Sequence, residues 1–234
     1  MLLINVKDYE QLSKESAAIC FNTMKENPYA QICLATGGSV KRMYEILAKE
    51  INDKQLDISN ITFIKLDEWC GVSLDDACTC SYYLHHYFFD LLHQKPTTFI
   101  EFKSDAFDVN EEVKRINEHL QQQPIDLMIL GLGMDGHLGL NEPNDVLTLP
   151  CHESALHDKT MTHDMIKERH ITSGVTIGMQ GIFQAKQILM LITGANKEDA
   201  YQAFMQQQLT TQNPSSFLWI HPNCISIIDD SQFY

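Results

Sequence analysis

The stretch IDLMILGLGMDGHLGLNEP, Ile125 to Pro143, joins an apolar run to a glycine-rich loop. The run 125–130 reads as a buried strand. Glycines at 131, 133, 136 and 139 then mark a loop whose backbone turns sharply and approaches something closely. Between them stand Asp135 and His137, with Glu142 just beyond. A buried strand that ends in a loop carrying an imidazole and two carboxylates is how open α/β sheets build sites at the carboxyl ends of their strands. A tight turn with solvated polar side chains is the plainer alternative. It leaves three titratable groups of complementary type without a purpose.

Outward from this stretch, strands and helices alternate. Apolar spacing predicts helices over 10–27, 40–51, 81–92, 110–122 and 197–207. Short apolar runs predict strands over 31–35, 61–66, 98–102, 125–130, 187–193 and 224–228. This alternation implies an α/β fold: one domain over residues 1–234 with a mainly parallel, Rossmann-like sheet and helices on both faces. Ligands then belong at the carboxyl ends of the strands.

Three further groups fall at such ends. Thr36-Gly37-Gly38-Ser39 links the strand at 31–35 to a helix, so backbone N–H groups and two hydroxyls can receive an anion. It is neither a dinucleotide fingerprint nor a Walker loop, and a helix N-cap by Ser39 would explain it equally well. Asp67 and Glu68 follow the strand at 61–66. Adjacent carboxylates there point opposite ways, which lets one act as a general base and the other serve a structural partner. Lys197, after Thr193-Gly194, sits at a helix start, where its charge opposes the dipole. Neutralising a phosphate held by the 36–39 turn would give that placement a function.

The 234 residues carry a formal charge of −14. Such a surface repels nucleic acid. The chain shows neither an apolar span of membrane length nor a signal-peptide pattern, so a cytoplasmic location without a membrane partner is expected. Seven cysteines, an odd number, are expected to stay reduced. Cys70, Cys78 and Cys80 lack zinc-ligand spacing, so no metal site is expected. The sequence leaves monomer and homo-oligomer both open.

The segments LATGGS, KLDEW, GLGMDGHLGLNEP and TGANK, in this order, resemble the glucosamine-6-phosphate deaminase/isomerase family over essentially the whole chain. KLDEW followed by Thr79-Cys80, the GHLGLNEP form of the loop, and SFLWIH at 216–221 are closer to its galactosamine-6-phosphate isomerase/deaminase branch. The resemblance implies that Asp67 moves a proton between C2 and C1 of the opened sugar. It implies that His137 assists ring opening, linked to Asp135 and Glu142. It places the substrate phosphate at Thr36, Gly37, Gly38, Ser39 and Lys197, and it calls for no cofactor. The implied reaction turns galactosamine-6-phosphate into tagatose-6-phosphate and ammonia, or glucosamine-6-phosphate into fructose-6-phosphate and ammonia. The family's phosphate-binding arginine has no match, and His163, Lys167 and Arg169 are its possible substitutes. Cys80 stands where the glucosamine enzymes carry a substrate-covering tyrosine.

Two alternatives share the fold. A 6-phosphogluconolactonase would follow the histidine with T-A-S-L-F-P, whereas here Leu-Gly-Leu-Asn-Glu-Pro follows, and Glu142 discriminates. A sugar-phosphate sensor of transcription would need a DNA-binding domain, for which residues 1–30 are too short and acidic.

Overall fold

A computed structural model describes residues 1–233. Seven strands form one sheet: β1 (Leu2–Val6), β2 (Gln31–Leu34), β3 (Thr62–Lys65), β5 (Thr98–Ile100), β6 (Leu127–Gly131), β9 (Gln187–Ile192) and β10 (Cys224–Asp229). Their order is β1-β10-β9-β6-β2-β3-β5, and every adjacent pair is parallel. A separate sheet of three antiparallel strands pairs β4 (Asp67–Trp69) with β8 (Ser173–Thr176), and β8 with β7 (His152–Ala155).

The side-chain period of two explains why the main strands read as continuous apolar runs. Ile32, Leu34, Leu127, Ile129, Leu189 and Leu191 enter one core. Cys33, Met128, Leu130, Ile188, Met190 and Ile192 enter the other. Helices α1 (Tyr9–Glu26), α2 (Gly38–Lys54) and α3 (Cys80–Tyr87) bury apolar faces in the first core. Helices α4 (Val109–Gln122), α6 (Met179–Gln184) and α7 (Glu198–Met205) bury theirs in the second. Both faces are thus covered, as the alternating sequence requires.

The order of strands reverses around β2. The chain leaves β2 toward β3 on one side, while β6 leads to β9 on the other. The crevice between the carboxyl ends of β2 and β6 is therefore the topological switch point. It receives the loop at 36–39 and the loop at 131–143. The small sheet, with the short helix α5 (Asp158–Met161) and the loop that follows, covers one side of it.

The structure adds β1, the strands β7 and β8 and the short helices α5 and α6 to the expected elements, and it differs from the sequence reading at two site positions. Asp67 lies not past the end of a strand of the main sheet but inside β4, a new strand that turns away to pair with β8. The helix after the 36–39 turn begins at Gly38 with Gly37 as its N-cap, so Ser39 is not the cap.

Candidate active site

A cavity of about 430 Å³ opens at the switch point. Thr36, Gly37, Gly38 and Ser39 line one end, with Lys197 beside them. Asp67 and His137 line it as well, together with Trp69, Thr160 and His163. Asp135 and Glu142 stand behind His137. Asp67, His137, the 36–39 turn and Lys197 thus share one cavity, with Asp135 and Glu142 behind the imidazole, whereas Lys167 and Arg169 lie outside its lining.

The glycine loop is shaped around His137. A Cβ on Gly133 would lie 2.4 Å from the imidazole ring, so any side chain there would displace it. Gly139, at φ +59°, lets the chain pass Asp67; a Cβ there would meet Thr176 Oγ1 at 2.7 Å and Asp67 Oδ2 at 3.3 Å. The loop's glycines therefore permit close contact as well as turning.

His137 is held from behind. Its Nδ1 lies 2.7 Å from Asp135 Oδ1 and 3.5 Å from Glu142 Oε2. Neither oxygen of the buried Glu142 makes a hydrogen bond within the protein. Burial opposes an imidazolium here, but the hydrogen bond to Asp135 and the nearby carboxylate charges of Glu142 and Asp135 outweigh it and lift His137 to about 9. Burial likewise acts against ionised Asp135, and the His137 contact outweighs it, holding that carboxyl below its usual range. An imidazole nitrogen and two carboxylates within 4.8 Å of one another also form a metal donor set. A proton on Nδ1, held between two carboxylates, meets the same need for positive charge.

Asp67 has the opposite character. Burial, reinforced by the charge of Glu68, raises it to about 7, against the pull of His137, Lys65 and the Cys80 thiol. Cys80 Sγ approaches Asp67 Oδ1 at 3.7 Å and accepts a hydrogen bond from Thr36 Oγ1 at 3.4 Å. A carboxyl near 7 is matched to proton transfer at neutral pH.

Glu68 is the structural member of the pair. Its Oε1 accepts the backbone N–H groups of Trp69 at 2.8 Å and Cys80 at 2.9 Å, and its Oε2 accepts that of Ser81 at 3.1 Å. Lys65 Nζ, fully buried, donates to Glu68 Oε2 at 2.7 Å, to Phe102 O at 2.6 Å and to Ser81 Oγ. This network fixes the corner between β3 and β4 and so aims Asp67 at the cavity.

At the other end, no side chain caps α2, and Lys197 Nζ donates to Ser39 Oγ at 2.9 Å. Burial pushes Lys197 down to about 8. An uncapped helix start, two hydroxyls and an ammonium form an anion-binding arrangement. Of the three substitutes for the missing arginine, Lys167 pairs with Asp164 at 2.9 Å and Arg169 with Asp76 at 2.8 Å. Only His163 lines the cavity. Sequence reasoning did not identify Thr160 or His157. Thr160 Oγ1 is 3.4 Å from His137 Nδ1, and His157 Nδ1 is 3.7 Å from Asp135 Oδ2. Both lie in a polar segment without a pattern that points inward.

With this geometry in view, the relatives are informative. Residues 7–226 match the family described as glucosamine-6-phosphate isomerases/6-phosphogluconolactonase. The chain belongs to that family. A protein of Escherichia coli (strain K12), AgaI, provisionally named a deaminase, is 37% identical over 97% of this chain and 91% of its own. The glucosamine-6-phosphate deaminase of Thermoanaerobacter pseudethanolicus is 33% identical over 98% of this chain and 92% of its own. Among solved structures, a monomeric glucosamine-6-phosphate deaminase superposes with a TM-score of 0.93 at 29% identity, covering 99% of this chain and 100% of that one. The 6-phosphogluconolactonase of Trypanosoma brucei reaches 0.77 at 16% identity, covering 97% and 95%, and shares the fold. All seven cysteines are free thiols. No helix among the described residues is long and apolar enough to cross a membrane.

Proposed function

We propose that this protein is an amino-sugar-phosphate isomerase/deaminase of the cytoplasm that converts galactosamine-6-phosphate to tagatose-6-phosphate and ammonia. The observation that carries the reaction class is the pairing of two oppositely tuned groups in one cavity. Asp67 is raised to about 7 and His137 to about 9, the latter between Asp135 and Glu142. Family membership and the naming of the relatives as deaminases support the class.

The phosphate binds at the Thr36–Ser39 turn and Lys197, which directs the sugar toward Asp67 and His137. His137, charged, donates a proton to the ring oxygen as the C1–O bond breaks, and the anomeric hydroxyl proton returns to the imidazole–carboxylate group. Asp67 takes the proton from C2, and the imidazolium of His137 gives its proton to O1, so the C1 carbonyl becomes an enol. Protonated Asp67 then returns a proton to C1, which leaves an imine at C2. Water adds to C2 and ammonia departs. Backbone N–H groups of the glycine loop stabilise the developing negative charge. None of these steps calls on a metal or an organic cofactor.

The galacto assignment rests on the branch features at 65–69, 79–80, 136–143 and 216–221, and on Cys80 beside Asp67. Cys80 takes the place of the tyrosine that the resemblance puts over the sugar in glucosamine enzymes. Glucosamine-6-phosphate, giving fructose-6-phosphate, is the second reading, favoured by the relatives that bear that name. Measuring ammonia release from each epimer decides between them. The galacto reading requires the larger kcat/KM with galactosamine-6-phosphate; a preference for the gluco epimer overturns it.

A further inference from the structure

We infer that His163 completes the phosphate site as a neutral hydrogen-bond donor, in the role for which the resemblance calls on arginine. The inference rests on the placement of the phosphate proposed above. His163 lies in the loop after α5, on the cavity lining and next to the start of α2. Its Nε2 lies 3.6 Å from the point where a Cβ on Gly37 would stand, so this end of the ring faces the uncapped start of α2.

The other ring nitrogen is already committed. The backbone N–H of Met165 donates to His163 Nδ1 at 3.3 Å. An Nδ1 that accepts a hydrogen bond carries no proton, so the neutral ring carries its proton on Nε2. The ring is also braced, since it packs at 47° against Trp69 with centroids 6.2 Å apart. Burial and the nearby charges of His137 and Lys197 disfavour the imidazolium, against a smaller opposite effect of Asp164. What remains is an uncharged donor with a fixed direction, opposite the Lys197 ammonium. The remaining basic candidates are paired elsewhere: Lys167 with Asp164 and Arg169 with Asp76.

The test is binding of inorganic phosphate, measured by calorimetry and as competitive inhibition, to wild type, Lys197→Ala, His163→Phe and His163→Gln. Phe keeps the aromatic packing on Trp69 and removes the donor. We expect it to weaken phosphate binding roughly tenfold to a hundredfold, the value of one hydrogen bond to a charged acceptor. KM for the sugar phosphate should rise by a similar factor with little change in kcat. Recovery by Gln, which keeps an N–H, supports the donor role. A Gln variant as weak as the Phe variant shows that an N–H at this position does not restore binding and overturns the donor role. If the Phe variant fails to fold, His163→Asn, polar but too short to reach, takes its place: loss of phosphate binding supports the inference and retention overturns it. Wild-type affinity in a folded His163→Phe protein, with affinity lost in Lys197→Ala, refutes the role of His163 and leaves the phosphate site standing. Wild-type affinity in both refutes the phosphate placement itself.

Discussion

Asp67→Asn should abolish turnover and stabilise the protein at the same time. The carboxyl is 8% exposed and is raised from its ordinary 3.8 to about 7 by burial and the charge of Glu68. A raised carboxyl binds its proton more tightly in the folded state, so stability falls as pH climbs from 3.8 toward 7 and stays reduced above it. A shift of this size corresponds to a ceiling of about 4 kcal/mol. Asparagine removes that cost but gives up the attraction of His137 and leaves a buried amide incompletely satisfied, which takes back about 1–3 kcal/mol. The net gain at about pH 8 is roughly 1–3 kcal/mol, or about 3–9 °C in Tm for a chain of this length. Near pH 5 the gain should vanish, because Asp67 is then protonated and asparagine is nearly its isostere. Thermal unfolding of both proteins at the two pH values, followed by circular dichroism, measures the difference. Ammonia release should fall by at least about a hundredfold, the value of a general base. Equal Tm values at both pH values would refute the argument that a buried, charged Asp67 is maintained at a cost.

Other outcomes follow from the same geometry. kcat/KM should rise as pH passes about 7, where Asp67 loses its proton, and fall above about 8–9, where Lys197 and then His137 lose theirs; a profile flat from about 6 to 9 would contradict these assignments. His137→Gln should slow turnover mainly at ring opening, so a substrate analogue fixed in the open chain should recover much of the lost rate. Equal defects on cyclic and open-chain compounds would give His137 another role. Lys65→Met leaves the buried Glu68 without its countercharge and should cost about 3–5 kcal/mol. The double variant with Glu68→Gln should recover part of that loss, and an undiminished penalty would show that the lysine acts through packing.

The sequence exposed the parts of this molecule whose pattern is local. Apolar runs of four to six residues with a period of two fill both cores of the sheet, so β2, β6 and β9 were readable from composition alone. The strand β1 also has such a run, LLINV, but it contributes only edge pairing to β10 and lacks a turn signal before it. The small sheet was not legible. HESA and SGVT are short and lack apolar alternation, and their pairing depends on partners many residues away. Site residues next to glycines or at strand ends announced themselves, as Asp67, His137 and Lys197 did. His163 and Thr160 come from a polar segment that gains meaning only when it folds over α2 and His137. Spacing alone leaves open which of Asp67 and Glu68 faces the cavity, and the resemblance points to Asp67; in the structure Lys65 and the start of α3 claim Glu68 through contacts that no spacing rule encodes.

The reaction class is tested most directly by offering one enzyme preparation galactosamine-6-phosphate and 6-phosphogluconolactone in parallel, with Asp67→Asn as the control. The wild type is expected to release one ammonia for each ketose 6-phosphate formed and to leave the lactone at its spontaneous hydrolysis rate, while Asp67→Asn releases almost no ammonia and also leaves the lactone at that rate. Lactone hydrolysis that is fast, without ammonia from the amino sugar, would contradict that class.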